Sequence, residues 1–197
     1  MNIYIDFDDT ITMSIENIVR IVNKRYNKNV KSIDIAKWDF SDVYPDISHK
    51  SIIDIFGEEE FFNTLHLKPN ALPVLRKYSK YNDIIIVSKV SLQAMKRKNE
   101  WIKTHLSSIG IPLQFRGVSL RRSKGDIDMS DGIMIDDNTN FLRETNAKYK
   151  IFYKNNRKFD ELQSLDDVDY IVSDWTELDT VLNKIISKEK GYTNGKI

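Results

Sequence analysis

Asp6, Asp8 and Asp9 crowd into the opening stretch MNIYIDFDDTIT, interleaved with the apolar Ile3, Tyr4, Ile5 and Phe7. Carboxylates this close repel one another, and a buried one is costly unless a cation is paired with it. Three later points carry reactive groups of matching kind. Ser88 ends the aliphatic run DIIIVS, Lys124 lies in RRSKGD, and Asp136 with Asp137 closes GIMIDD. Oxygen donors without histidine or cysteine suit Mg²⁺, a hard ion that takes carboxylates together with water and substrate phosphate. An ionised carboxylate beside such an ion can attack phosphorus and form an aspartyl-phosphate. A second carboxyl can protonate the leaving alkoxide and then deprotonate the water that cleaves the intermediate. Asp6 and Asp8 have the i, i+2 spacing that sets two side chains on one side of a continuing strand. Lys124 adds fixed positive charge and Ser88 a hydrogen-bond donor, both suited to a phosphoryl group.

The elements that must hold these groups are legible as alternating patterns. Asn2–Asp6 reads as a short buried strand. From Ile15 the period becomes helical, with Ile15, Ile18, Val19, Val22 and Tyr26 on one face and Ser14 as N-cap. A helix starts near Asn70 with Pro73 in its first turn, and DIIIVS is a buried strand ending at Ser88. Leu92, Met95, Asn99, Ile102 and Leu106 mark one face of the next helix, with Trp101 beside it. PLQFRGVSL and GIMI are further strands, followed by helix 139–146, strand Lys150–Tyr153, strand Tyr170–Val172 and helix Trp175–Ile186. Strands separated by helical patterns predict an α/β, doubly wound, mostly parallel sheet, whose binding crevice lies at the carboxyl ends of the strands. All four reactive points fall at such ends.

Between the first two strands the pattern is different. Trp38, Phe40, Tyr44, Phe56, Phe61 and Phe62 sit among short helical fragments broken by Pro45 and Gly57, with no continuous strand. Residues 15–68 are therefore expected to form a small helical cap, 1–14 and 69–188 the α/β core, and the polar 189–197 a fraying tail. The chain of 197 residues, 41% hydrophobic and 30% charged with net charge +1, has the make-up of a globular protein without bulk affinity for nucleic acid. It contains no cysteine, which excludes disulfides, zinc–thiolate centres and cysteine nucleophiles. His49, His66 and His105 lack ligand spacing. No apolar run nears the roughly 18 residues that span a bilayer, and no signal peptide precedes the first strand, so a cytoplasmic protein without a membrane partner is expected.

In DFDDT (Asp6, Asp8, Thr10), the strand ending at Ser88, Lys124, and MIDD (Asp136, Asp137), the chain resembles the haloacid-dehalogenase-like phosphatase superfamily in its four ordered motifs. Within it, the similarity is greatest to the 5′(3′)-deoxyribonucleotidases, through the helical cap between the first two motifs and the Arg122-Ser123-Lys124 element before Met134-Ile135-Asp136-Asp137. The run FGEEEFFNTLHLKPNALPVLRKYSK is similar as well. The resemblance covers about residues 2–153. It implies a Rossmann-like core, Mg²⁺, a small nucleotide substrate and a homodimer. It assigns Asp6 as nucleophile and metal ligand, Asp8 as acid/base that offers the metal its backbone carbonyl, Ser88 as a phosphate ligand, and Lys124 with Arg122 as neutralising cations. Asp137, supported by Asp136, completes the metal site. Thr10 and Lys89 join the substrate-binding set, and Trp38, Phe40, Phe61 and Phe62 are cap candidates for contact with substrate.

Two departures from the family pattern bear on the site. Asp9 stands where a glycine often follows the second aspartate, and Val87-Ser88-Lys89 stands where a Thr-Ser pair is usual, so either Val87 or Ser88 fills the threonine's place. A calcium loop is excluded, because counting from Asp6 its sixth position is Ile11 and its twelfth Asn17. Two other readings of the sequence remain. One is a phosphatase of the same superfamily acting on another small ester or a nucleic-acid 3′-phosphate. The other is a non-catalytic Mg²⁺- or nucleotide-binding protein, to which an Asp6/Asp8 pair offers nothing. Trp101 and Trp175 read as packing residues, and Asp126, Asp128 and Asp131 as a surface turn.

Overall fold

Short unbroken runs of aliphatic and β-branched residues form six strands, all parallel. They are β1 (Asn2–Ile5), β2 (Ile84–Val90), β3 (Gln114–Ser119), β4 (Gly132–Asp136), β5 (Tyr149–Tyr153) and β6 (Tyr170–Val172), in the order β3-β2-β1-β4-β5-β6. The computed structural model describes residues 1–194, with side-chain surroundings through residue 191. Its helices are α1 (Ser14–Tyr26), α2 (His49–Ile55), α3 (Glu59–Asn63), α4 (Ala71–Tyr78), α5 (Leu92–His105), α6 (Thr139–Glu144), α7 (Lys158–Glu161) and α8 (Trp175–Asn194). Successive strand residues feed opposite faces of the sheet. Ile3, Ile5, Ile84, Ile86, Ile133 and Ile135 belong to one apolar cluster, while Tyr4, Ile85, Val87 and Met134 belong to the other. A sheet buried on both sides is the doubly wound α/β architecture that the sequence predicts.

Register brings the reactive ends together. Ile5 pairs with Ile86 on one side and Ile135 on the other, and the Asp6 amide adds one more bond to the Ile135 carbonyl at 2.9 Å. Asp6, Ser88 and Asp136 thus emerge on neighbouring strands at one edge of the sheet. Residues 15–68 hold helices and turns and no strand of more than one residue among the described residues. Where the chain leaves and returns, Thr12 bridges Leu67 antiparallel, with Met13 N–H bonded to His66 O and Lys68 N–H to Ile11 O, both at 2.9 Å. Phe40, Tyr44, Ile52, Ile55 and Phe61 are fully buried within that stretch.

Several local expectations are corrected. Ser14 is the first residue of α1 rather than its cap, because its hydroxyl donates to Asp8 Oδ1 at 2.8 Å. β2 continues past Ser88 to Val90. In α5 the buried face is Ala94, Lys98, Trp101 and Ile102, whereas Leu92 is 87% exposed; Ser91 caps the helix and places Leu92 in its outermost turn. α6 stops at Glu144, since the Thr145 hydroxyl turns back to Leu142 O and the Asn146 side chain accepts from Met129 N–H. α8 runs to Asn194 through part of the expected tail, tied down where Glu189 accepts from Lys148 and the Tyr149 hydroxyl at 2.6 and 2.7 Å. The remainder of that tail, 195–197, lies outside the described residues. Among those described, no helix is long and apolar enough to cross a membrane.

Candidate active site

Each of the three opening aspartates has a cation of its own. Lys124 Nζ lies 2.5 Å from Asp6 Oδ1, Lys98 Nζ lies 2.5 Å from Asp8 Oδ2, and Arg157 pairs with Asp9 Oδ2. Lys124 is fully buried on a single 3₁₀ turn, Lys124–Asp126, and also reaches Asp136 Oδ2 at 2.6 Å. Gly125 lets this turn press against the Glu144 carbonyl, where any Cβ would collide. Ser14, bonded in turn to Thr12, fixes Asp8 from below, and the Thr12 hydroxyl donates to Phe7 O at 3.0 Å. From above, Lys98 Nζ lies 2.9 Å from Ser88 Oγ, which is 3.4 Å from Asp8 Oδ2.

Of these groups, Asp6, Asp8, Ser88 and Lys98 face one cavity of about 320 Å³, with Lys124 buried behind Asp6. Asp6, Asp8, Ser88, Lys89, Lys98, Asp137 and Asn138 make its polar side; Trp38, Ile53 and Phe56 from the 15–68 segment and Phe141 and Leu120 from the core make its apolar side. β1 ends at Ile5, so Asp6 and Asp8 share a side through the turn that follows the strand rather than through strand alternation. Ser88 lines the cavity while Val87 points into the core beneath the sheet. Ser88 is therefore the second-motif residue that meets this cavity. Lys89 joins it, with Nζ 5.1 Å from the centre of the Phe141 ring.

Other candidates lie elsewhere. Phe40 and Phe61 are wholly buried and Phe62 nearly so. Phe61 packs on Phe62 and on Phe56 at 5.1 and 5.3 Å between ring centres, so it braces the wall without forming it. Arg122 turns outward to Asp126, with 72% of its side chain exposed, because its residue precedes the buried turn of Lys124. Thr10 does not reach the cavity: it is fully buried, and its carbonyl accepts from Trp175 Nε1 at 2.9 Å. Asp136 stands behind the cavity, its oxygens taken by Lys124 and by the Asn138 amide. Of the expected metal set, Asp6, Asp8 and Asp137 line the cavity, and the Asp8 carboxylate is already paired with Lys98.

Lys98, Phe141 and Arg157 are not singled out by the sequence, and Phe56 and His49, named there as a cap aromatic and a histidine without ligand spacing, are given no place at the site although both line the cavity. Lys98 carried a usable signal, for it interrupts an otherwise apolar helical stripe, Ala94, Trp101 and Ile102. Arg157 sits in the polar run KNNRKFD and carried none.

Charge balance points to a cation. Burial pushes the Asp6 carboxyl up to about 7 against the pull of Lys124, with Asp136 and Asp8 adding to the rise. Asp137 is driven well above the ordinary carboxylate range, first by burial and then by Asp9, Asp136 and Asp6; no ion pair to it is formed among the described residues. Burial alone would lower Lys124, yet Asp136 and Asp6 together hold it above its ordinary value. No cluster of three or more Asp, Glu, His or Cys side chains with metal-holding geometry occurs among the described residues. Two carboxylates lining one cavity, Asp6 and Asp137, suit an oxygen-seeking ion that retains water and takes substrate oxygens. The sign of the pH effect follows. Carboxyls raised in the folded state bind protons that the unfolded chain has lost, so metal-free stability falls as pH rises from about 4 to about 7. Protons compete with metal for these groups. The rise in Tm on adding Mg²⁺, taken against chelator at each pH, is expected to be larger near about pH 8 than near about pH 5; differential scanning fluorimetry checks it, and an equal rise at both would contradict it.

A parallel sheet with a helical segment inserted after its first strand, and aspartates, serine and lysine converging at adjacent strand ends, defines a haloacid-dehalogenase-like phosphatase. The chain belongs to the family described as 5′ nucleotidase, deoxy (pyrimidine), cytosolic type C protein, whose model matches residues 1–187. Solved structures agree on the fold. A haloacid dehalogenase-like family hydrolase from Streptococcus pneumoniae superposes with a TM-score of 0.59 at 16% identity, covering 92% of this chain and 97% of that one. A HAD family hydrolase from Deinococcus radiodurans, with bound phosphate and sodium, gives 0.61 at 11% identity, covering 93% and 95%. No curated protein matches the chain in sequence.

Proposed function

We propose that this phosphatase hydrolyses nucleoside 5′-monophosphates, deoxyribonucleotides foremost, in a Mg²⁺-dependent reaction through an aspartyl-phosphate on Asp6. One observation carries the reading: Asp6 and Asp8 open onto a single cavity whose other side is the aromatic wall of Trp38, Phe56 and Phe141. A flat, apolar leaving group with a phosphate at one end matches that division. The family to which the chain belongs, 5′ nucleotidase, deoxy (pyrimidine), supports the same substrate class.

The steps follow from the chain's own groups. Lys124 steadies Asp6 while one carboxylate oxygen attacks phosphorus and the ester P–O bond breaks. Lys98 Nζ and Ser88 Oγ, which meet at 2.9 Å over Asp8, are placed to donate to the phosphoryl oxygens. Asp8 gives a proton to the departing alkoxide, then takes one from the water that attacks phosphorus, releasing inorganic phosphate and restoring Asp6. Mg²⁺, held by the Asp6 and Asp137 carboxylates and the Asp8 carbonyl, would supply positive charge against the phosphoryl oxygens.

A panel of nucleoside 5′- and 3′-monophosphates and sugar phosphates, assayed for released phosphate with Mg²⁺, tests the substrate class. The 5′-nucleotides are expected to show the highest kcat/KM. Trp38→Ala is expected to raise KM for them by about tenfold, the scale of one lost base–aromatic stack, with less effect on sugar phosphates. Preference for a sugar phosphate, or equal loss on both classes, would refute the assignment of the aromatic wall.

A further inference from the structure

Asp9 adopts a left-handed backbone, φ 57°, a conformation that favours glycine and that aspartate tolerates when its side chain is locally bonded. Its carboxylate is fully buried. Oδ1 accepts from the Ile15 amide at 2.9 Å, and Oδ2 takes the Arg157 guanidinium. A buried charge left alone is strongly destabilising, so this pair holds the turn and the Arg157 segment to one another.

The same segment has two further attachments. Gln163 donates through Nε2 to Asp137 O at 3.0 Å and accepts through Oε1 from the Thr139 amide at 2.7 Å, gripping the loop that follows β4. Toward the cap, the Phe159 amide donates to Ile35 O at 2.9 Å, Lys158 pairs with Asp34 at 3.3 Å, and the Phe159 ring lies 6.2 Å from that of Trp38. Within the segment, the Arg157 amide donates to Asp160 Oδ2 at 3.0 Å.

We propose that residues 157–163 form a strap tying the cap wall of Trp38 to the Asp8–Asp9 turn and the Asp137 loop, with Arg157 as the positioning residue at its centre. The mechanical tie stands on geometry alone; its consequence for turnover rests on the proposed phosphatase reading. Through it, the wall that meets the leaving group and the carboxyl that protonates that leaving group keep one relative placement. Misplacement of about 1 Å at such a site can cost about a hundredfold in rate.

Two measurements test it. Hydrogen exchange compares the wild type with Phe159→Ala, which leaves the ion pair untouched. Faster exchange is expected in residues 34–40 and also in residues 8–15, with β2 unchanged; faster exchange in 34–40 alone would overturn the coupling. Kinetics with p-nitrophenyl phosphate then compares the charge-free double variant Asp9→Asn/Arg157→Met, chosen so that no buried charge is orphaned, with Arg157→Lys. The double variant is expected to lose at least about tenfold in kcat with KM little changed, and Arg157→Lys to keep part of the rate. Wild-type kcat and KM in the folded double variant would refute the positioning role. Should the double variant fail to fold, kcat of Phe159→Ala decides: a fall supports the role and a wild-type value refutes it. If the wild type turned over no phosphate ester, the phosphatase reading would fail while the exchange result still judged the strap.

Discussion

Asp6→Asn is expected to cut phosphate-ester turnover by on the order of ten-thousand-fold, the scale seen when a catalytic nucleophile is removed, while Tm shifts by only a few degrees. Asparagine keeps the side chain's shape, and its Oδ1 can still accept from Lys124, so the turn after β1 is preserved. What is lost is the anionic oxygen that attacks phosphorus. Stability changes little because two effects oppose. Burial already pushes the Asp6 carboxyl up to about 7, so its charge weakens the fold at neutral pH and asparagine removes that burden. Against this, Lys124 is left with Asp136 as its one acidic partner. Steady-state kinetics and a melting curve on the same preparation separate the two quantities; turnover within tenfold of wild type in a folded Asp6→Asn would remove Asp6 from the reaction.

Lys124→Met is expected to be the most damaging single change to the fold. The ammonium is fully buried between Asp6 and Asp136, at 2.5 and 2.6 Å. Removing one member of a buried charge network leaves its partners desolvated and uncompensated, which costs about 3–5 kcal/mol. In a domain of this size each kcal/mol is worth roughly 2–4 °C, so Tm should fall by on the order of 10 °C, with activity lost as well. Adding Asp136→Asn to the same chain removes one of the stranded carboxylates and should recover part of the loss. A melting curve unmoved by Lys124→Met, or lowered further by the second change, would mean that the network contributes little to stability.

The architecture was legible because it depends on patterns that short-range physics enforces. Aliphatic runs such as DIIIV and GIMI can hardly be anything but strands buried on both faces, and the carboxylates that end them mark the sheet edge where a site belongs. Asp6, Asp8, Ser88 and Asp137 stand at such ends and line one cavity, and Lys124, which follows β3, meets Asp6 and Asp136 behind it. What escaped was set by tertiary contact. Lys98 lies on the stripe of Ala94, Trp101 and Ile102, one residue off the face marked by Leu92, Met95, Asn99 and Ile102, and the two stripes compete until the sheet beneath the helix decides between them. Arg157 compensates Asp9 across most of the chain's length, with no periodicity to announce it. Among the aromatics, composition could not say which rings pack the cap and which face the cavity; Phe61 and Phe56 touch one another, and of the two Phe56 lines the cavity. Arg122 takes a phosphate role only through the family resemblance; in the structure the backbone turn buries Lys124 and sends Arg122 to solvent.

The division of labour between Asp6 and Asp8 is tested most directly by trapping the covalent species. Asp8→Asn, incubated with p-nitrophenyl phosphate and Mg²⁺ and quenched in acid, should accumulate phosphate on the peptide containing Asp6: a good leaving group needs no proton to depart, but water then lacks its base. Mass spectrometry of the digested protein reads this out, with Asp6→Asn as the blank. A phosphorylated Asp6 peptide is the result expected here. Phosphate released by the wild type with no label on Asp6 in either protein would contradict it.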